Sequence, residues 1–142
     1  MCLVFNARKI TKDVDAIFDN TKKVYMESYA MATKYGISSD WLNDSIRIIE
    51  DKFKKETLLK VGTYSNIELY VPSAEQMLAM KLYAARAKPY KDEDDVEFLI
   101  QHLKLKKKKE VQSILFKYFD KKIIDEKTSL LVNKMADRLD LE

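Results

Sequence analysis

The 142-residue sequence is poor in the residues that break or staple a chain. Two glycines and two prolines exclude a turn-rich β-sandwich and make long helices the default. A single cysteine, Cys2, excludes an internal disulfide framework, and with His102 as the one histidine no Cys/His cluster is spaced for zinc. No stretch approaches the ~20 apolar residues of a membrane span. The opening Met1-Cys2-Leu3-Val4-Phe5-Asn6 lacks the basic lead, long apolar centre and small-residue cleavage site of a secretory signal. A soluble cytoplasmic protein without membrane contact is the expectation. Neither sign of charge dominates: Lys+Arg 26 against Asp+Glu 23 leaves a net +3, so a polyanionic partner would have to be met by local clustering.

What is present is enough apolar material, 46% of residues, for one compact core. We expect a single domain over 1–142 of α+β (mixed α/β) class, a small sheet flanked by helices. Residues 1–72 would hold the sheet and 73–142 a helical half. The apolar run at Leu3, Val4 and Phe5 begins without a cap, as if residues upstream were missing. Deprived of a neighbouring strand, it would favour a homo-oligomer.

Residues 10–18 read as a strand. Ile10, Val14, Ala16 and Phe18 share one face, with Lys12 the exception, and Thr11, Asp13, Asp15 and Ile17 share the other. A helix over 21–35 follows, with a stripe of Val24, Ser28, Met31 and Tyr35 and Gly36 as its stop. Ser38 or Ser39 can cap a second helix through about Phe53. Residues 56–61 and 66–71 predict a hairpin around Gly62-Thr63-Tyr64-Ser65. Ser73 and Gln76 are spaced as a capping box, opening a helix to about Ala87. A charged helix over 91–103 buries Val96, Leu99, Ile100 and Leu103. Two amphipathic helices close the chain, one on Val111, Ile114, Leu115 and Tyr118, the other on Leu131, Met135 and Leu139.

Asp13 and Asp15 are the most informative pair. Two residues apart on a strand, they project side by side at ~6.5–7 Å, and their repulsion is relieved when a cation lies between them. Their carboxylates can converge on magnesium or manganese. The bland alternative is an edge-strand pair that faces water.

Further blocks run in order along the chain: Arg8-Lys9-Ile10-Thr11-Lys12-Asp13-Val14-Asp15-Ala16-Ile17-Phe18, Asp40-Trp41-Leu42-Asn43, Tyr70-Val71-Pro72-Ser73-Ala74-Glu75-Gln76-Met77-Leu78-Ala79-Met80-Lys81, Ala84-Ala85-Arg86 and Lys91-Asp92 to Asp95-Val96. Together they resemble a family of small bacterial nucleotidyltransferase-like proteins related to the AbiE-type toxins of abortive-infection and toxin-antitoxin systems. The resemblance implies Mg2+ (or Mn2+)-dependent transfer of a nucleotide from a nucleoside triphosphate to an acceptor, with RNA one acceptor class. Asp13 and Asp15 would be the metal ligands and Lys81 and Arg8 phosphate contacts. A third carboxylate is expected from a strand adjacent to the Asp-x-Asp strand. Glu68 is the candidate, with Asp19 the weaker choice and an ordinary exposed glutamate the bland alternative.

Family members carry a Gly-Gly or Gly-Ser turn ahead of the Asp-x-Asp strand, where backbone amides cradle phosphates. This chain has none, which implies weak triphosphate binding. It also leaves a rival from another class, a non-catalytic binding or regulatory module that keeps the fold.

Lys81 lies on a mostly apolar helix, where its charge needs a partner. Asp92 or Asp95 can supply one, making an ion pair between helices the structural alternative. The run Lys104-Leu105-Lys106-Lys107-Lys108-Lys109 could meet RNA phosphates or be a solvated turn. His102 reads as a helix-end residue and Trp41 as core filling.

Overall fold

A computed structural model describes residues 11–52, 54–84 and 93–142. The fold is mixed α+β, with five α-helices and two two-stranded sheets among the described residues. The chain forms two compact units, Met1–Asp51 and Lys52–Glu142. The division falls inside the 1–72 stretch, and the hairpin expected there belongs to the unit that holds the four C-terminal helices.

The first unit contains β1 (Val14–Asp15), α1 (Thr21–Tyr35) and β2 (Leu42–Asn43), followed by a 3-10 segment that starts at Ser45. The α1 helix has the expected ends, because no Gly or Pro interrupts it and Gly36 adopts the left-handed conformation (φ 64°) while its N–H donates to the Ala32 carbonyl. Its buried face differs from the expected stripe. Ser28 and Ala32 are buried, whereas Met31 and Tyr35 are 44% and 61% exposed. The spacing of four places the small residues inward, where the Trp41 indole N–H reaches the Ser28 carbonyl at 3.1 Å.

The expected helix over 38–53 is not formed. Trp41 and Asn43 carbonyls instead accept from Val14 and Ala16 N–H at 2.6 and 2.9 Å, pairing β1 and β2 in parallel. Pairing with a distant strand overrides local helix propensity here, and only the 3-10 segment Ser45–Lys52 keeps a helical turn. Among the described residues the strand expected over 10–18 is likewise short, its ladder confined to Val14–Asp15, and Ile10 lies outside them.

In the second unit β3 (Leu59–Tyr64) and β4 (Ile67–Val71) form an antiparallel hairpin. Its turn is the two-residue Ser65-Asn66, tighter than expected, with Ser65 in the left-handed region (φ 50°). Gly62 is not in the turn. It lies in β3 at a register shift, covered by the Tyr64 ring.

Next come α2 (Ala74–Ala84), α3 (Glu93–His102), α4 (Lys108–Tyr118) and α5 (Glu126–Arg138). The capping box forms as expected: Gln76 N–H donates to Ser73 Oγ at 3.2 Å and Ser73 N–H to Gln76 Oε1 at 2.8 Å. The continuation of this helix to Ala87, and the start of the next at Lys91, lie outside the described residues. Leu78, Leu82, Val96, Leu99, Ile100, Val111, Leu115 and Met135 are essentially without exposure and make one core. Phe119 takes the deep position rather than Tyr118, its ring stacked on Tyr83 at 4.2 Å. In α5, Val132 and Ala136 flank Met135 inside, while Leu131 and Leu139 are half-buried.

Candidate functional site

Along 13–18 exposure alternates residue by residue. Asp13, Asp15 and Ile17 are exposed, and Val14, Ala16 and Phe18 are half-buried. Both carboxylates therefore share the solvent face of β1. In the parallel register Asp15 is paired with Asn43. Neighbouring strands lie ~4.8 Å apart, so the two residues are cross-strand neighbours. Asn43 Oδ1 accepts from Ser45 N–H at 3.1 Å, and the Ser45 hydroxyl donates to Asp15 Oδ1 at 3.0 Å. Thr11 Oγ1 donates to the Asp13 carbonyl at 2.9 Å. Neither Asp13 nor Asp15 forms an ion pair among the described residues.

A second cluster braces this strand pair. Arg47 Nη2 donates to the Phe18 carbonyl at 2.9 Å, Nε to Asp44 Oδ2 at 2.9 Å and Nη1 to Glu50 Oε2 at 3.1 Å. Tyr25 OH donates to Asp44 Oδ1 at 2.7 Å, and the Tyr25 ring meets Phe18 edge-on at 5.4 Å. The Tyr25 hydroxyl and then the Arg47 guanidinium hold the Asp44 carboxyl below its ordinary range. Its hydrogen bond to Asp44 raises Tyr25. Asp44, Arg47, Tyr25 and Ser45 are not among the residues singled out from sequence, and Asn43 enters there only as the last residue of the Asp40–Asn43 block, with no role given to it. The three-residue spacing of Asp44 and Arg47 was the one legible signal. An open cleft of about 430 Å³ lies between α1 and β2, lined by Tyr25, Ser28, Tyr29, Asp40, Leu42 and Asn43 among others, with neither Asp13 nor Asp15 in its lining.

Arg8 lies outside the described residues, as does Asp92. Glu68 and Lys81 belong to the second unit. Glu68 is on β4, which pairs with β3, whereas the strand bonded to β1 is β2. Glu68 is held by Lys60 Nζ and accepts from Tyr70 OH at 3.1 Å. Lys81 Nζ stands 3.1 Å from Oδ2 of Asp95, which is 2% exposed, linking α2 to α3 as a charge contact rather than an aligned hydrogen bond. Asp19 is exposed. His102 ends α3, stacked on Phe98.

No family model, curated protein or solved structure matches this chain. Among the described residues no three His, Cys, Asp or Glu side chains group to hold a metal ion, and no helix is long and apolar enough to cross a membrane.

Proposed function

We propose that the chain is a metal-dependent nucleotidyltransferase-like protein whose Asp13 and Asp15 hold Mg2+ (or Mn2+) on the exposed face of β1. One observation carries this: two carboxylates share the open face of a strand, with no protein cation between them among the described residues. Magnesium is commonly bound by one or two carboxylates, completed by water and substrate phosphates rather than by an all-protein cage. Two aspartates without a third acid fit that chemistry. When bound, the metal would orient the triphosphate and offset charge on the transferring phosphoryl group.

In the reaction, an acceptor hydroxyl oxygen bonds to the α-phosphorus, the bond from that phosphorus to the bridging oxygen breaks, and pyrophosphate leaves. The hydroxyl proton passes to water. The chain's own part is positional. Ser45 fixes one oxygen of Asp15, Asn43 is its cross-strand neighbour on β2, and Arg47 pins the backbone that follows at Phe18. RNA is the acceptor class we favour.

A non-catalytic module is the second reading. It is favoured by Glu68 and Lys81, each already engaged by a side chain of its own unit. Calorimetry with nucleoside triphosphate, with and without magnesium, separates the two. Weak binding that requires magnesium and is lost in Asp15→Asn supports the transferase. Absence of binding, or binding indifferent to both, transfers the case to the non-catalytic module.

A further inference from the structure

Lysine occupies five of the six positions over 104–109. Lys104, Lys106, Lys107 and Lys109 are exposed, while Leu105 and Lys108 are half-buried. Elsewhere in this unit Lys60, Lys81, Lys117 and Lys134 each meet a carboxylate, as does Lys107 within the run through Glu142. Lys104, Lys106 and Lys109 form no ion pair among the described residues. Three exposed cationic side chains thus lie within six residues of one another along the chain, none within ion-pair distance of a carboxylate among the described residues.

The backbone carrying them is fixed. Leu105 N–H donates to the Ile100 carbonyl at 3.1 Å and Lys104 N–H to the Gln101 carbonyl at 3.0 Å, with Lys104 in the left-handed region at φ 54°. Lys106 and Lys107 N–H both donate to Glu110 Oε2, at 2.8 and 2.9 Å. Glu142 N–H donates to the Lys106 carbonyl and its own carbonyl accepts from Lys108 N–H, each at 2.9 Å. The Glu110 carboxylate is thus engaged by two loop amides and the Glu142 carboxylate by Lys107, while Asp140 lines the same surface as Lys104 and Lys106 without an ion pair to either. A fixed loop loses little backbone entropy on binding, so its charges are pre-organised.

We infer that the 104–109 loop is a contact surface for the phosphate backbone of duplex nucleic acid, with Lys104, Lys106 and Lys109 each meeting a phosphate. No aromatic residue lies in the loop to stack an unpaired base, which disfavours a single strand and any reading of sequence. The contact is backbone-directed and equally available to any base sequence. It stands independently of nucleotidyl transfer, since nothing in it involves Asp13 or Asp15.

The test is fluorescence anisotropy of a labelled duplex of ~20 base pairs across a salt series, beginning near 50 mM. Three phosphate contacts give a log–log slope of about −2.7, so affinity falls roughly fortyfold for a fourfold rise in salt. The triple variant Lys104→Gln, Lys106→Gln, Lys109→Gln should lose most of that slope and bind at least tenfold more weakly at low salt, with an unchanged circular dichroism melt. The Lys→Arg triple should retain binding. A charge-matched control, Lys22→Gln, Lys122→Gln, Lys127→Gln, should stay near wild type. The inference is overturned if the wild type shows no salt-dependent binding, if the control loses as much as the loop variant, or if the loop variant loses binding only to anionic lipid vesicles.

Discussion

The Ser45 hydroxyl donates to Asp15 Oδ1 at 3.0 Å, thirty residues along the chain and across the parallel pairing of β1 with β2. This bond orients one of the two carboxylates and leaves the other oxygen of Asp15 open to solvent. Ser45→Ala should therefore cost little stability, within about 1 kcal/mol, because the bond is exposed. It should weaken magnesium affinity without removing it. Thermal melting across a magnesium series measures both effects, and loss of all metal response would make Ser45 itself a ligand.

Lys81 and Asp95 join α2 to α3, and the carboxylate is buried. Lys81→Met should destabilise by an amount near the low end of roughly 3–5 kcal/mol, since a quarter of the lysine side chain is exposed and solvent shares its role. Lys81→Met with Asp95→Leu should recover part of that loss. Urea unfolding of the two variants checks it. A lysine devoted to substrate phosphates would instead be removable at little cost.

Lys104 and Asp140 both occupy left-handed positions after helix ends, at φ 54° and 50°. Leu105 and Leu141 N–H then reach back to the Ile100 and Ala136 carbonyls. Glycine suits such positions, and relief of ~1–2 kcal/mol of left-handed strain outweighs its extra unfolded-state entropy of ~0.5–1 kcal/mol. Asp140→Gly should thus raise stability by about 0.5–1 kcal/mol, read as a higher urea midpoint with an unchanged slope.

Because Tyr25 and Arg47 depress Asp44 below its usual value, the unfolded chain binds more protons than the folded chain between the two values. The contribution is fully present above the ordinary aspartate range and is lost as pH falls through the folded value. Asp44→Asn should flatten the acid limb of the stability profile below about pH 4 and leave the slope near neutrality unchanged. Melting temperatures across an acid series give the comparison.

Local signals were legible where they were decisive. The α1 helix was readable because Gly36 ends it, and α2 because Ser73 and Gln76 cap each other. The polar face of β1 followed from alternation alone. The β2 strand was not readable, since its two residues owe their conformation to Val14 and Ala16 rather than to their neighbours. For the same reason Ser45 and Arg47, and the pairing of Asn43 with Asp15, were not legible around Asp13 and Asp15. Gly62 misled as a turn signal, because the Tyr64 ring covers it within the strand and the turn falls at Ser65-Asn66.

The most direct test of the site is the melting temperature of the protein with and without magnesium or manganese, for the wild type and for Asp13→Asn with Asp15→Asn. Binding to the folded state raises the melting temperature by mass action. The wild type should shift upward with metal and the double variant should not. An equal shift in both, or none in the wild type, would contradict a metal centre on β1.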